Sequence, residues 1–303
     1  MDMKEIREIQ FSSRELCSGV QALGNAYAFV YLIGNSQRAL IDAGTAFWGL
    51  QIKGYFEREG LSGLDYLMLT HSHYDHVGGV PVLMESISIG EIIAHKNFER
   101  VFSSKRALGL IQELNRKELE LLGVEFEYTF KPFSIDRYAL DGETISMDDI
   151  QIRILETPGH TRDSVTYYVL PCKLAVVGEA VGVPNADYSY ILPQFLADVD
   201  LYLRSFEKIA SLDIEILGLP HERIITGRDE VIEFLERSRR YTMEYIEEIE
   251  RALDMFGEDM EKVMEYMIEK FYKNRRIRQP LYAFVENLRA QVRAVKKRKF
   301  NAM

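Results

Sequence analysis

The fold is decided by the stretch Thr70-His71-Ser72-His73-Tyr74-Asp75-His76-Val77-Gly78-Gly79, which holds three of the six histidines and an aspartate within six residues. It directly follows an apolar run that predicts a buried strand. In an extended segment His71 and His73 point the same way, and a following turn can bring Asp75 and His76 to a neighbouring point. Imidazole nitrogens and carboxylate oxygens are ligands of first-row divalent metals, and one ion cannot easily use all four from so short a loop. The stretch therefore favours two metals side by side over an exposed polar turn.

Two further histidines and one acid follow other predicted strands. His160 lies in Glu156-Thr157-Pro158-Gly159-His160-Thr161, His221 ends Leu217-Gly218-Leu219-Pro220-His221, and Glu179 ends a strand between them. Loops at strand ends are where α/β scaffolds carry functional groups. Alone, each would read as an ordinary surface or core residue. Together with the first cluster they give five histidines and two carboxylates, enough for two metal sites.

The remaining pattern predicts an α/β domain over residues 1–228 and a helical extension over residues 229–303. Before residue 229, β-rich runs alternate with helical stretches, including a hairpin over 26–42 and a long helix over 98–122. After it the pattern is helical, with helices near 230–255, 258–272 and 281–298. The remaining histidine, His95, reads as a structural residue at a strand end.

The set of HxHxDH, a downstream Gly-His, a bridging acid and a final histidine resembles metallo-β-lactamase-fold hydrolases. The resemblance covers about residues 1–228 and implies a four-layer αββα sandwich with two divalent metals, zinc first, with iron or manganese as alternatives. By it, His71, His73 and His160 hold one metal, Asp75, His76 and His221 hold the other, and Glu179 lies between them. The segment Leu40-Ile41-Asp42-Ala43-Gly44-Thr45 resembles the family's buried aspartate motif, which gives Asp42 a supporting role. Glu179 departs from the family's usual aspartate, so it either bridges, binds one metal or changes the metal preference.

The two metals imply hydrolysis by a metal-bound hydroxide, with Asp75 as the residue that orients the water or moves its proton. The helical extension resembles glyoxalase-II-like thioesterases and a quinolone-signal-response thioesterase-like protein, in which helices cover the active-site mouth. This points to a small, acyl-CoA-like thioester as the substrate. The residues predicted to contact it are Tyr188, Tyr190, Phe195, Tyr282, Arg275, Arg276 and Arg278. The alternatives are that the aromatic residues fill the interface with the extension and that the basic helix face is merely solvated.

Charge bears on the other candidate functions. The chain has 303 residues and a formal charge of −10, but residues 271–303 contain ten Lys or Arg and one Glu, which leaves +9 on this tail and −19 on the remainder. A nuclease or phosphodiesterase is the rival on the same two metals, with the tail as its nucleic-acid contact, although the acidic body would repel a long polyanion. A lactonase and a non-enzymatic effector-binding regulator are further alternatives.

The chain shows no signal peptide and no apolar run long enough for a membrane helix. Its two cysteines, Cys17 and Cys172, are too few for a disulfide framework, so we expect a reducing, cytoplasmic setting without a membrane partner. Methionines are frequent in the extension, which would also suit a homodimer formed through it.

Overall fold

The structure is a computed structural model that describes residues 11–257, 259–273, 277 and 279–301. Its two main sheets lie between helices. The first sheet has seven strands in the order β1-β2-β3-β4-β5-β6-β7, antiparallel up to β4 and parallel from β4 to β7. Its strands are β1 (Ser12–Cys17), β2 (Val20–Asn25), β3 (Ala28–Ile33), β4 (Ala39–Ile41), β5 (Gly63–Met68), β6 (Ser88–Ala94) and β7 (Arg137–Tyr138).

The second sheet has six strands in the order β15-β14-β11-β10-β9-β8, and only the β11–β14 pair is parallel. A separate hairpin is formed by β12 and β13. The strands are β8 (Thr144–Met147), β9 (Ile150–Glu156), β10 (Val165–Leu170), β11 (Leu174–Val176), β12 (Val183–Pro184), β13 (Ile191–Leu192), β14 (Ile216–Gly218) and β15 (Ile225–Thr226). Strand β9 shows how the sheet forms, because its residues alternate between buried and exposed along Ile150–Arg153 before both faces become covered.

Helices cover the outer face of each sheet. The helices of the first half are α1 (Ala46–Glu59), α2 (Tyr74–Val77), α3 (Val80–Ser86), α4 (Phe98–Phe102) and α5 (Lys105–Leu122). Those of the second half are α6 (Val199–Ala210), α7 (Arg228–Phe256), α8 (Met260–Phe271) and α9 (Leu281–Asn301).

Three apolar clusters hold these layers together. One lies between the two sheets and includes Tyr31 and Tyr167, both almost fully buried. A second joins the first sheet to the helices of the first half, around Phe56. The third joins the second sheet to α6 and the C-terminal helices, around Phe206 and Phe234. Helix, sheet, sheet and helix therefore form the four layers of the αββα sandwich that the resemblance implies, followed by the predicted C-terminal helices. These helices extend the last layer.

The structure corrects the sequence interpretation in several places. The predicted helix over 98–122 is two helices, because Ser104 is extended and its hydroxyl accepts a hydrogen bond from the amide of Ala107, which caps the start of α5. Strands β1 and β2 are absent from the sequence prediction. Cys17 and Cys172, interpreted as too few for a framework, form a disulfide between β1 and the turn before β11. Within the described ranges, we find no helix with both the length and the apolarity to cross a membrane.

Candidate metal centre

The seven predicted ligands meet at one end of the sandwich, because each lies just past the carboxyl end of a strand. The four residues of the histidine-rich stretch follow β5, His160 follows β9, Glu179 follows β11 and His221 follows β14. The loop after β5 turns into α2, a single helical turn that begins at Tyr74 and carries Asp75 and His76 round behind His73. This turn separates the stretch into two pairs of ligands.

The side chains form two groups. His71, His73 and His160 form one, and Asp75, His76, Glu179 and His221 form the other, with the ligand atoms of each group within 4.8 Å of one another. Nε2 of His160 lies 3.0 Å from Nδ1 of His73, so these two ring nitrogens converge on a common point. The same seven residues were selected from the sequence, and the structure brings them all together.

Glu179 lies between the groups and faces both. Its Oε2 lies 3.4 Å from Nε2 of His71 and 3.6 Å from Nε2 of His160. Its Oε1 lies 3.1 Å from Nε2 of His76 and 3.4 Å from Nε2 of His221. The longer glutamate side chain therefore presents one oxygen to each group, which is the arrangement of a carboxylate that bridges two ions.

The donor set fits two divalent cations. Nε2 of His71 and Oε2 of Glu179 are buried atoms without a hydrogen-bond partner, and both belong to residues with less than a tenth of their surface exposed. Burying such atoms without a partner costs free energy of folding. A cation bound by the lone pairs of both atoms explains why they face the same point. Mixed imidazole and carboxylate donors suit zinc, iron or manganese.

Three histidines are oriented by hydrogen bonds behind their rings. Nδ1 of His160 donates to the carbonyl oxygen of Gln194 at 2.6 Å, and Nδ1 of His221 donates to that of Tyr27 at 2.6 Å. Nδ1 of His76 lies 2.8 Å from Oδ2 of Asp42. In each ring this leaves Nε2 turned toward the site, as metal-binding histidines require.

Asp42, for which the resemblance implies a supporting role, also contacts the residue before the first histidine ligand. It accepts hydrogen bonds from the amide of Thr70 at 2.8 Å and from its hydroxyl at 2.7 Å. Its φ angle is +63°, a left-handed conformation that aspartate and asparagine adopt more readily than most residues. Asp42 thus fixes both the ring of His76 and the residue from which the metal-binding loop departs.

The electrostatics match these roles. Burial lowers the pKa of His160 to about 4, so its ring is neutral and able to bind a cation at neutral pH. Burial would raise the pKa of Asp75, but the hydrogen bond from His221 and the nearby His76 lower it to about 2. Although burial opposes charge on His221, Asp75 and Glu179 raise its pKa to about 10. The carboxylates of Asp75 and Glu179 therefore favour a positive charge among the ligands of the second group.

Helix α5 contributes residues to the site that sequence reasoning missed. Asn115 is fully buried; its side chain accepts a hydrogen bond from the amide of Ala46 at 2.6 Å and donates to the carbonyl oxygens of Ile111 at 2.8 Å and Tyr74 at 3.3 Å. It therefore links α5 to the start of α1 and to the metal-binding loop. A lone asparagine in a helical pattern carries no sequence signal for this role.

Glu118 lies one turn further along α5. Burial, with a smaller contribution from the carboxylate of Asp75, raises its pKa to about 7, and its Oε2 has no hydrogen-bond partner. The pKa of Tyr74 is raised well above its ordinary value by burial and then by Asp75, Glu118 and Tyr282. These side chains thus lie together beside the second group of ligands.

The predicted substrate contacts are dispersed. Tyr190 and Phe195 are almost fully buried and pack against aromatic residues of α6–α8, so their surroundings are those of core residues. Tyr188 is partly buried between the guanidinium groups of Arg223 and Arg237, at 4.1 and 4.5 Å from its ring centre. Tyr282 is half exposed. The remaining predicted contacts, Arg275, Arg276 and Arg278, lie outside the described residues.

The described basic residues of the tail make local ion pairs. Lys297 pairs with Asp198 at 3.4 Å, Arg298 pairs with Asp200 at 3.0 Å, and Lys299 pairs with Asp254. These three of the ten positive charges therefore pair with acids at the start of α6 and near the end of α7. The same helix contacts the site indirectly, since Nε2 of Gln291 donates to the carbonyl oxygen of Pro193 at 2.6 Å, next to the Gln194 carbonyl that orients His160.

His95 lies outside both groups of ligands. Its Nδ1 accepts a hydrogen bond from the amide of Asn97 at 3.1 Å, and its Nε2 lies 3.5 Å from Oε1 of Glu156. Burial lowers its pKa, against the effect of Glu156 and Asp163. These contacts tie the end of β6 to the end of β9.

Comparison with known protein families gives a match over residues 23–221 to the family described as the metallo-beta-lactamase superfamily. The protein ST1585 of Sulfurisphaera tokodaii, described as containing a metallo-beta-lactamase fold, is 24% identical over 204 residues, which are 66% of this chain and 75% of that one. Its crystal structure superposes with a TM-score of 0.57 at 20% identity and covers 93% of this chain and 99% of its own. The family protein TTHA1429 of Thermus thermophilus gives a TM-score of 0.65 at 18% identity, covering 93% and 95%.

Some curated relatives have names that state an activity. An atrochrysone carboxyl ACP thioesterase of Aspergillus fumigatus is 26% identical over 218 residues, which are 69% of this chain and 56% of that one. A hydroxyacylglutathione hydrolase of Brucella ovis is 26% identical over 143 residues, 47% of this chain and 42% of that one. The chain thus matches about half the length of each of these enzymes.

Proposed function

This chain belongs to the metallo-beta-lactamase superfamily, and on that premise we propose that it is a dimetal hydrolase that cleaves a small, acyl-CoA-like thioester. The observation that carries the proposal is Glu179, whose two oxygens face two separate groups of histidines with buried, unpartnered donor atoms. One curated relative is named an ACP thioesterase and another a hydroxyacylglutathione hydrolase, and we take these names as support for a thioester substrate.

Each residue of the site has a proposed role in binding the cations or in catalysis. His71, His73 and His160 would hold one divalent cation, His76, His221 and Asp75 the other, and Glu179 would bridge them. When bound, such cations supply Lewis acidity that polarises an acyl oxygen and makes water more acidic. The carboxylate of Asp75 orients the attacking water through an oxygen and accepts its proton. The water oxygen bonds to the acyl carbon, the C–S bond breaks, and sulfur leaves with the electron pair and is protonated to the thiol.

A thiolate is a stable leaving group, so the reaction does not depend on a strong general acid. The basic tail was the main argument for a nucleic-acid substrate, and its described ion pairs with Asp198, Asp200 and Asp254 reduce the charge available to a polyanion. The alternative functions are those of a nuclease, a phosphodiesterase and a lactonase. The activity assay must include substrates for each of them.

The test is turnover by the purified full-length chain after loading with zinc, iron or manganese. We expect release of free thiol from acyl-CoA thioesters, loss of that activity on chelation and its recovery when metal is returned. The variant His73→Ala should lose turnover, whereas His95→Ala, which removes a buried histidine outside both groups, should retain it. No thioester turnover with two ions bound, alongside hydrolysis of a phosphodiester or a lactone, would refute the proposal.

A further inference from the structure

A cavity of about 540 Å³ opens beside His73 and His160. It lies between α4, α5 and the loops that carry Thr161–Asp163 and Leu196–Ala197. Its volume is within the range usual for small-molecule binding sites. Because two of the predicted metal ligands form part of its wall, a molecule bound in it reaches the reacting centre.

Most of its wall is apolar. The apolar lining residues include Val101, Ala107, Leu110, Ile111, Leu114 and Leu196. Two arginines, Arg100 and Arg162, also line it, and both are exposed, which places their charges on the solvent side.

Helix α5 supplies four of these residues in a regular pattern. Ala107, Leu110, Ile111 and Leu114 are at positions i, i+3, i+4 and i+7, so they form one stripe along the helix. Such a stripe normally packs against a core, and Ile111 does so, because it is buried with Asn115 and Leu119 against the first half of the sandwich. Leu110 and Leu114 lie beside that buried face and line the cavity, and Leu110 is 54% exposed. The stripe therefore has an apolar edge that the packing of the helix on the sandwich does not cover.

We infer, resting on the proposed thioesterase function, that this cavity binds the apolar acyl group of the substrate and that Leu110 sets the preferred chain length. The acyl carbon lies at the His73–His160 end, and the chain lies along the stripe of α5. The acyl group is the apolar part of such a thioester, whereas a thiol carrier such as CoA is polar and charged, so the lining selects the acyl end.

The first experiment measures binding without turnover. Metal-loaded full-length protein is titrated calorimetrically with S-alkyl-CoA thioethers of increasing chain length, which cannot be hydrolysed. Each added methylene buried in the cavity should tighten binding by about fourfold until the cavity is filled. A dissociation constant that does not depend on chain length would overturn the inference.

A matched pair of variants on α5 tests the residue assignment. Leu110→Asp places a charge in the cavity wall and should weaken binding of the longer thioethers by about tenfold or more, with little effect on the shortest. Leu121→Asp is the control, because Leu121 is 50% exposed on the same helix and does not line the cavity. Equal effects of the two substitutions would count against the inference. Ala107→Phe, which fills the cavity from the same stripe, should exclude long chains while short ones still bind.

The outcomes separate this inference from the proposed function. Thioester hydrolysis that is equally fast for all chain lengths and unchanged by Leu110→Asp would overturn the inference and leave the thioesterase function intact. Chain-length-dependent thioether binding without hydrolysis of any thioester would support the cavity and overturn the function. If Leu110→Asp breaks a dimer in solution and leaves thioether binding unchanged, the stripe is an interface between copies and the inference is wrong.

Discussion

Oδ2 of Asp42 lies 2.8 Å from Nδ1 of His76, while Nε2 of the same ring lies 3.1 Å from Oε1 of Glu179. One imidazole thus joins a buried carboxylate behind the site to the carboxylate between the two groups of ligands. The two acids raise the pKa of His76, against the effect of burial. Orientation and basicity of this ligand therefore depend on a residue that does not itself face the substrate.

Asp42→Asn tests that dependence. The amide retains the shape of the side chain and tolerates the left-handed backbone. The change removes the charge and replaces one of two hydrogen-bond acceptor oxygens with a donor. We expect metal affinity and turnover to fall by about 10- to 100-fold. Competition with a chelator measures the affinity. Asp65→Asn is the control, since Asp65 accepts a hydrogen bond from the amide of Arg38 far from the ligands, and a similar loss there would contradict the assignment.

Glu179→Gln should reduce the metal content to one ion or less per chain, because the neutral amide cannot bridge two cations. Metal analysis of the purified variant gives the stoichiometry. Glu179→Asp keeps the charge but shortens the reach, so it should retain more metal than the glutamine variant. If the glutamine variant holds two ions as firmly as the wild type, Glu179 is not the bridge.

Glu118→Gln should change how stability depends on pH. The folded-state pKa of about 7 is above the ordinary value of 4.5, so the folded chain binds this proton more tightly than the unfolded chain. The resulting stabilisation is complete below pH 4.5 and is lost as pH rises through about 7. Relative to the wild type, the variant should therefore gain roughly 3 kcal/mol between about pH 4.5 and about pH 8.

Urea unfolding at a series of pH values measures that difference. Glu120→Gln, at an exposed position of the same helix, is the control and should follow the wild type. A constant difference between Glu118→Gln and the wild type across this range would show that the carboxyl of Glu118 is not perturbed.

Phe195→Ala should destabilise the fold by roughly 3–5 kcal/mol, as expected for a large side chain removed from a packed interior. Its ring is fully buried and lies against Tyr202 and Tyr245. Tyr282→Ala, at a half-exposed position, should change the free energy of unfolding by less than about 0.5 kcal/mol. The measurement is urea unfolding, and a stable Phe195→Ala variant with altered substrate preference would instead support a substrate contact.

The metal-binding residues could be predicted from the sequence because their residue types and positions along the chain mark them. Histidine is uncommon, and the ligands occur as a dense cluster or directly after apolar strands, so composition and strand pattern together mark them. Asp42 was predicted differently, through the resemblance of the segment that contains it to the family's buried aspartate motif. The αββα layering followed from the same resemblance.

The residues that contact the substrate could not be predicted from the sequence in this way. Aromatic residues such as Tyr190 and Phe195 satisfy a core and a pocket equally well in sequence, and only the tertiary packing decides between them. The stripe of α5 was visible as helical periodicity, but periodicity cannot tell whether the apolar face meets a core or a cavity. The disulfide between Cys17 and Cys172, separated by 155 residues, likewise depends on which strands become neighbours.

Helix α5 contributes to both the metal-binding loop and the cavity. The side chain of Asn115 fixes the metal-binding loop, while Leu110 and its neighbours line the cavity. Substitutions in the apolar stripe need not disturb the hydrogen bonds of Asn115. Under the proposed function, a new acyl preference therefore needs substitutions only at stripe positions such as Leu110, and the hydrogen bonds that hold the metal-binding loop stay in place.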